Sequence, residues 1–559
     1  MNKNIPIGKG ASSGALFPAI RRLADRLILL LLLGGICLFV LYPMLCILWR
    51  SLQGEGGITA EMYGVVWEQY RKSLYNSVFT ASCTAILCTI FSTATALLIS
   101  TGQGWRRTLG MGLLLITMVS PPFVSALAYI QLYGRRGWIT YRLLGLSWNP
   151  YNCWGVIWMQ SLSFVPVNAL FLIGMLSRMD RDSLMSARDL GAAPKDILRD
   201  VVLPLLKPGI LVCALLSFVR SIADFGTPVT IGGRFTTIAS DIYLQLTGYS
   251  NLEKASAMNM FLLVPSVAAF FLYRWLMEKT GPVSSERAQQ QHLQLTLRRC
   301  GVTGWLTLVT GGLFFGMIGL QYMCIFATGF IKRTKGKFTF TVQYLEELLK
   351  YNSGTVVRSV IYALIVALVG TLFAMLFAYY ICRRKIRLNT FFDCLATLPY
   401  MLPGTCFGIG YILAFNHAPL KLTGTAVIVL ANMLFKQLPT TTKICAATLS
   451  QIPEAQEWAV RDLGGDQLNV MKDVIFPGLR SAFLSCFAYN FSSSMTTAGA
   501  VLFLIDPGHQ LAVFKLFDAV YSGEYALASL MATFIIVIVL LVEGSAYMVM
   551  GRKERSHVS

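Results

Sequence analysis

Few residues of this chain could do chemistry, and they fall into two patterns. The first is a polar motif that occurs twice, 273 residues apart. One copy is Arg188-Asp189-Leu190-Gly191, followed by Val201, Leu203 and Pro204; the other is Arg461-Asp462-Leu463-Gly464, followed by Val474, Phe476 and Pro477. In both, the proline is the thirteenth residue after the glycine. Adjacent Arg and Asp on a short helix suit ionic contact with a partner, not bond making. Gly191 is placed to end such a helix in the left-handed conformation at low steric cost. A second helical turn is expected near Pro194, because proline is tolerated at a helix's first position. Pro204 then marks re-entry towards the membrane. The whole predicts a helix–turn–helix on the membrane surface, which another protein can grip.

The second pattern is a thin scatter of polar groups in or beside apolar segments. Arg220 lies one helical turn before Asp224 and can pair with it. Asn168, Asn432 and Lys436 sit in two other apolar segments, and Ser494, Thr496 and Thr497 follow Ser492 and Ser493 near the end of a third. An ionisable residue at membrane depth is a functional candidate by default. Two readings stay open: these groups line a polar pathway, or they neutralise one another and bond back to helix carbonyls. In Asp224-Phe225-Gly226-Thr227-Pro228, Gly226 and Pro228 predict a loop at the mouth of that pathway.

No catalytic constellation accompanies them. There is no GxxxxGK[ST] nucleotide loop, so ATP hydrolysis would have to come from another polypeptide. His292, His417, His509 and His557 are far apart, the thirteen cysteines are scattered without a CxxC pair, and no metal site or disulfide framework is expected. Asp241 and Tyr243 offer hard oxygen atoms, but a helix-surface contact is the simpler expectation.

The elements that must position these residues are membrane helices. Of 559 residues 55% are hydrophobic and 13% charged, with a mean hydropathy of +0.60; soluble chains carry about 25% charge. Apolar blocks of twenty residues or more can cross about 30 Å of hydrocarbon, and helices satisfy their own backbone there. The reading is an all-α polytopic membrane protein with twelve spans, near 27–49, 73–100, 108–133, 152–177, 205–223 and 256–277, then 302–326, 355–381, 390–415, 424–448, 479–504 and 525–550. A cytosolic segment, 1–26, precedes the first membrane domain, 27–277; a polar linker, 278–301, leads to the second, 302–550, and a tail, 551–559.

The halves match in further detail. Pro166 and Pro439 each precede the motif glycine by twenty-five residues; Tyr129 and Tyr411 each follow Pro121 and Pro403 by eight; Ser77 and Ser359 begin equivalent second spans. Six spans and then six in the same order imply a parallel repeat about an axis along the membrane normal. Clusters at Arg21, Arg22 and Arg26, at Arg106 and Arg107, at Arg383, Arg384, Lys385 and Arg387, and at Arg552, Lys553 and Arg555 put both termini and both motif loops in the cytosol. Lys332, Arg333, Lys335 and Lys337 run against this rule, because they fall outside. The net charge of +20 therefore reads as membrane topology, with lipid as the surrounding partner and no nucleic acid. A secondary transporter driven by an ion gradient fits twelve spans too, but calls for more ionisable residues at depth.

The twin motif resembles the EAA loop of ABC-importer permeases, E-A-A-x3-G-x9-I-x-L-P. Met185-Ser186-Ala187, Gly191, Val201, Leu203 and Pro204 match it, as do Trp458-Ala459-Val460, Gly464, Val474, Phe476 and Pro477. Both copies lack the leading glutamate, and Glu457 stands one place early. The stretches Ala223–Gln245 and Ser494–Leu504 resemble the fused ferric-iron permeases of the binding-protein-dependent group, whose cousins carry thiamine, polyamines or phosphonates. The resemblance implies one chain with both membrane halves in a bacterial inner membrane. It implies two copies of an ATP-binding subunit, one on each loop, with ATP held by that partner and no cofactor on this chain. It also implies a soluble binding protein that delivers the solute outside. Arg188, Asp189, Arg461 and Asp462 then become candidates for the face that meets the ATP-binding subunit.

Overall fold

A computed structural model describes residues 13–54, 57–146, 149–177, 179, 181–280, 297, 300–334, 337–384, 388–505 and 509–556. Most of the expected linker, 281–296, lies outside them, as do Lys335, Lys385, Arg387, His292 and His557. The fold is a helical bundle. Among the described residues seven helices are long and apolar enough to cross a membrane, and nine if each of two bent pairs counts as one span.

The other three expected spans are helices as well. The expected span 424–448 is the helix Ala426–Leu449, which carries Lys436, Gln437 and Lys443. The expected span 479–504 is the helix Arg480–Thr496, which stops eight residues early. The expected span 256–277 lies in Leu252–Thr280, whose stretch 255–272 carries no charge. The stretches 108–133 and 390–415, expected as continuous, are broken. Trp105–Val119 meets the segment beginning at Pro122 at 105°, and Asn389–Tyr400 meets Gly404–Phe415 at 112°. Pro121 and Pro403 are the N-caps after the breaks, where a proline cannot continue the preceding hydrogen-bond ladder.

In each half three helices make the tightest contact. Glu61–Thr101 packs against Cys153–Ser177 and Pro194–Ala223; Gln343–Cys382 packs against Ala426–Leu449 and Arg480–Thr496. The contact faces are small residues at helical spacing: Ala81, Ala85, Cys88, Ser92 and Ala96 in the first, Ala363, Ala367, Gly370, Ala374 and Ala378 in the second. Lipid gives helices no hydrophobic reason to associate, so close backbone approach must supply the attraction. A Cβ on Gly370 would lie 3.3 Å from Asn490 Nδ2.

The duplication is visible in single hydrogen bonds. Ser77 Oγ accepts from the Ile238 amide at 2.9 Å, and Ser359 Oγ accepts from the Ala512 amide at 2.7 Å. Each receives the first amide of a short helix, Ile238–Thr247 or Ala512–Tyr521. Likewise Ser221 Oγ donates to Gln160 Oε1 at 2.6 Å, and Ser494, its counterpart 273 residues on, is bonded to the Gln437 amide at 3.0 Å. Two hairpins, Gln53–Gly54 with Gly57–Ile58 and Ile331–Thr334 with Lys337–Phe340, are the strands among the described residues.

Candidate functional site

The twin motifs fold alike. The first forms the helix Arg181–Asp189 and the second Glu454–Asp462. Gly191 has φ +84° and Gly464 φ +82°. Around each glycine the closing bonds coincide. Gly191 N donates to Arg188 O (2.8 Å) and Ala192 N to Ala187 O (3.0 Å); Gly464 N donates to Arg461 O (2.9 Å) and Gly465 N to Val460 O (2.9 Å). This 5→2 and 6→1 pair is the Schellman closure that a left-handed glycine permits. Leu190 and Leu463, one residue earlier, are 88% and 89% exposed. Two large apolar side chains presented at equivalent positions on polar helices are suited to a partner's pocket. Arg188, Asp189 and Asp462 are exposed beside them.

Pro204, expected from the sequence to mark re-entry towards the membrane, does not begin a new helix. Pro204 lies inside one continuous helix, Pro194–Ala223. A wider π turn, Ile197–Val202, precedes Pro204, and Met471–Ile475 precedes Pro477. Proline lacks a donor and crowds the carbonyl four residues back, and a π turn absorbs both defects without ending the helix.

The two motif helices, Arg181–Asp189 and Glu454–Asp462, are anchored differently. Glu457, one place before the motif position that lacks its glutamate, is buried at 5% exposure. Arg383, at the end of Gln343–Cys382, reaches it at 3.4 Å, meets Glu454 at 2.9 Å, and donates to the Leu449 carbonyl at 2.8 Å and to the Ile452 carbonyl. Arg461 approaches Glu457 at 3.9 Å and lies over the Trp458 ring at 5.2 Å. Arg461 is therefore shared between this cluster and solvent, whereas Arg188 is exposed. In the first copy Leu184 occupies the place of Glu457 and packs against the apolar core. Nothing in the motif spacing linked Arg383 to Glu457, because two expected spans, 390–415 and 424–448, lie between them.

Between the halves lies a cavity of about 500 Å³. Both helix breaks reach it, through Ser120 and Pro121 and through Leu402 and Gly404. Of the residues proposed from sequence for a pathway, Arg220, Asp224, Lys436 and Thr496 line it. Asn168, Asn432, Ser494 and Thr497 do not. Asn168 donates to Ser217 Oγ at 2.7 Å inside the first half. Asn432 is fully buried, with its amide unpartnered among the described residues. Thr497 bonds back to Ser493 O at 2.6 Å. Ser492, Ser493, Tyr400, Tyr489 and Glu543 are among its other polar groups. Glu543 was legible as the one acid within an apolar run; the two phenols gave no sequence signal that distinguishes them from core tyrosines.

Arg220 and Asp224 do not pair. Asp224 accepts from Gln160 Nε2 (3.0 Å), Gly226 N (3.0 Å) and Thr227 N (3.3 Å). Those two amides open a short helix, Gly226–Ile231, where a loop was expected. The carboxylate is the acceptor such an opening turn needs, and it leaves Arg220 directed elsewhere in the cavity. Lys436 Nζ donates to Pro399 O (2.8 Å) and Leu402 O (2.6 Å) and lies 5.6 Å from the Phe407 ring centroid. A cation at the carbonyl end of a broken helix is favourably placed. This explains how a lysine is tolerated at that depth. Beside the cavity, five rings from both halves cluster: Phe123 lies 4.6 Å from Phe517, and Tyr243 contacts Phe225 (5.4 Å), Phe503 (6.2 Å) and Phe517 (6.1 Å).

A second, larger cavity of about 740 Å³ lies at the other end of the bundle from the motif helices. Tyr151 of its wall precedes Cys153–Ser177 and the first coupling helix follows it; twenty-five helical residues separate the two by about 37 Å. Burial pushes the Tyr151 phenol above its ordinary pKa; Tyr525 adds to the rise and Arg135 opposes it. Among the described residues no group of three or more His, Cys, Asp or Glu could hold a metal ion.

Comparison with known proteins gives this arrangement its context. The family described as binding-protein-dependent transport system inner membrane component matches residues 89–281 and again 370–554. The ferric transport system permease protein FbpB of Actinobacillus pleuropneumoniae is 28% identical over 540 residues, covering 93% of this chain and 77% of that protein. A Haemophilus influenzae relative, FbpB 1, is 29% identical over 489 residues, covering 84% and 76%. The thiamine transport system permease protein ThiP of Escherichia coli is 24% identical over 245 residues, covering 42% and 44%. The family match falls once on each half and contains both motif helices, so the chain belongs to the inner membrane components of binding-protein-dependent transport systems, as a multi-pass transport subunit that works with an ATPase and a binding protein.

Proposed function

We propose that this chain forms the whole membrane pathway of an ATP-driven importer, with ferric iron as its cargo. Two copies of an ATP-binding subunit dock on the cytosolic side, one on Arg181–Asp189 and one on Glu454–Asp462. ATP is bound there, and this chain holds no cofactor. Both termini are cytosolic. A soluble binding protein delivers the solute from the other side. The observation that carries the docking assignment is the pair of exposed leucines, Leu190 and Leu463, held at equivalent places by matched glycine closures. The cargo assignment rests on the relative named for ferric transport, whose similarity covers 93% of the chain.

In this reading closure of the ATP-binding subunits moves the coupling helices and rocks one half against the other. ATP must favour one conformation over the other for this to work. The cavity between the halves takes the solute in passage, with Arg220, Asp224, Lys436 and Thr496 as pathway residues. The five-ring cluster acts as the barrier that separates when the halves rock. The cavity's mixed charges and phenols suit transient passage of a hard cation with its ligands, not tight retention. Deletion of the gene should abolish ferric uptake and leave thiamine, molybdate and polyamine uptake intact. Loss of one of those instead would reassign the cargo while keeping the docking scheme.

A further inference from the structure

The two halves differ at one wedge between their helices. In the second half Phe39, from the π turn Cys37–Leu41 of the span Leu23–Ser51, sets its ring among Tyr411 (6.3 Å), Phe415 (5.5 Å) and Phe435 (5.1 Å). The fit is close, since a Cβ on Gly410 would stand 3.0 Å from Ile47 Cδ1 of the same span. In the first half the counterparts of Tyr411 and Phe415 are Tyr129 and Tyr133, which stand beside Trp154 and Trp158. Among the described residues, none from the matching span, Gly301–Thr328, enters between them. Its Tyr322 turns instead to Ser120, 2.6 Å away. An apolar pocket of about 330 Å³ is left there, with Leu87 and Ile157 in its wall. We infer that this pocket holds one acyl chain of an anionic phospholipid, whose phosphate sits against Arg135 and Arg136.

Three observations favour a lipid. First, the pocket borders a surface that hydrocarbon must cover. Trp154 is exposed, and so are Ile86 and Ile90, which flank Leu87 on the spanning helix Glu61–Thr101. The pocket itself is kept open and dry. Tyr129 Oη is committed to the Pro150 carbonyl at 3.0 Å, and a Cβ on Gly155 would lie 2.7 Å from that same oxygen. Second, the mouth lies where helices end. Tyr133 is the last residue of Pro122–Tyr133, and Trp154 is the second of Cys153–Ser177. Tyr and Trp belong at the level of the headgroups, and Trp158, one turn further in, lies about 6 Å deeper. Third, charge stands at that mouth. Arg135 and Arg136 are two and three residues beyond Tyr133, within about 11 Å of chain. Both are exposed, and Arg135 Nε is held by Asn149 Oδ1 at 3.4 Å. Neither forms an ion pair among the described residues, although Glu347 and Glu524 share the neighbouring cavity with them. A guanidinium offers a phosphate two parallel N–H groups. Lipid tails surround the protein in any case, so the arginines supply the preference and the pocket fixes the place. The bound chain does for the first half what Phe39 does for the second.

The test is native mass spectrometry of the full chain, purified in detergent and titrated with phosphatidylglycerol or with phosphatidylcholine of the same acyl chains. The wild type should take up one phosphatidylglycerol about tenfold or more tightly than the next, and about tenfold more tightly than phosphatidylcholine. Leu87→Trp, which puts a ring where Phe39 puts one in the other half, should remove that first tight equivalent. Ile157→Phe should weaken it, and serves if the larger ring prevents folding; melting curves of both variants show whether the fold is kept. Arg135→Gln/Arg136→Gln should still bind one lipid but bring the two headgroups to within about twofold of each other. Graded uptake with no tight first equivalent overturns the inference. So does a tight equivalent that survives in a folded pocket-filling variant, since the lipid then sits elsewhere. Equal affinity for both headgroups in the wild type overturns the role of the arginines. Displacement of phosphatidylglycerol by millimolar inorganic phosphate would show a free-anion site and overturn the lipid assignment. The expected titrations are the same whatever solute the chain carries.

Discussion

Arg383 and Glu457 form the ionic contact that secures the second coupling helix. Removing one partner of a buried pair strands the other charge, at a cost of about 3–5 kcal/mol. Arg383→Ala should therefore lower the melting temperature of the purified complex and weaken retention of the ATP-binding subunit. Arg383→Met combined with Glu457→Leu should restore most of the stability, since neither charge is then left alone. If the single variant melts as wild type does, the pair is not a structural anchor. Lys436 makes a different prediction. Its ammonium satisfies the Pro399 and Leu402 carbonyls, so Lys436→Met should cost about 1–3 kcal/mol as those acceptors lose their donor. Melting temperature and uptake should fall together. Uptake lost at an unchanged melting temperature would place the ammonium on the cargo instead. At this scale the sequence was only partly legible. Arg220, Asp224, Lys436 and Thr496 could be picked out because polar groups are costly at depth. Their partners could not, since Gln160 and the carbonyls of a broken helix look ordinary in a linear reading. Asn168 and Asn432 carry the same sequence signal, and packing turns them into the interior of single halves.

The helices Arg181–Asp189 and Glu454–Asp462 are the elements on which the linear reading and the fold agree. Repetition of RDLG with one glycine-to-proline interval requires two equivalent surface elements, and the glycines adopt nearly the same left-handed φ. Gly191→Ala or Gly464→Ala should cost about 1 kcal/mol through the unfavourable backbone conformation, measurable as reduced thermal stability. Leu190→Asp and Leu463→Asp should leave the fold nearly untouched, within about 0.5 kcal/mol, because both side chains face solvent. They should nonetheless release the ATP-binding subunit on co-purification. Normal recovery from the double variant would place docking elsewhere. Bends were harder to foresee. The apolar runs around Pro121 and Pro403 are long enough to cross as straight helices, and hydropathy carries no angle. Capping was missed similarly: Gly226 and Pro228 suggested a loop, whereas Asp224 supplies the acceptors that let a helix begin there.

For the whole molecule, duplication decides the architecture. Equivalent serines capping equivalent helices and paired breaks at Pro121 and Pro403 place the cavity between two similar halves. The halves are not equal in detail. The first brings Arg220 and Asp224 to the cavity where the second has Ser493 and Thr497 at the matching positions, and only the second coupling helix has the Arg383–Glu457 anchor among the described residues. The ring cluster spans both halves, and its removal should be felt as a leak. Phe517→Ala should allow small solutes to cross proteoliposomes without ATP, and an unchanged permeability would show that closure lies elsewhere. The repeat and the helical class were evident from sequence because they follow from composition and spacing. The cavity was not, since it forms where segments far apart in the sequence meet, Thr117 to Thr227 on one side and Tyr400 to Glu543 on the other. The most direct measurement is uptake of radiolabelled ferric iron into proteoliposomes holding this chain and its ATP-binding subunit, with the iron-loaded binding protein outside and ATP inside. Uptake that requires both ATP and the binding protein, and that Leu190→Asp/Leu463→Asp abolishes, is the predicted result. Iron uptake driven by an ion gradient without ATP, or none under any of these conditions while another solute is carried, would contradict it.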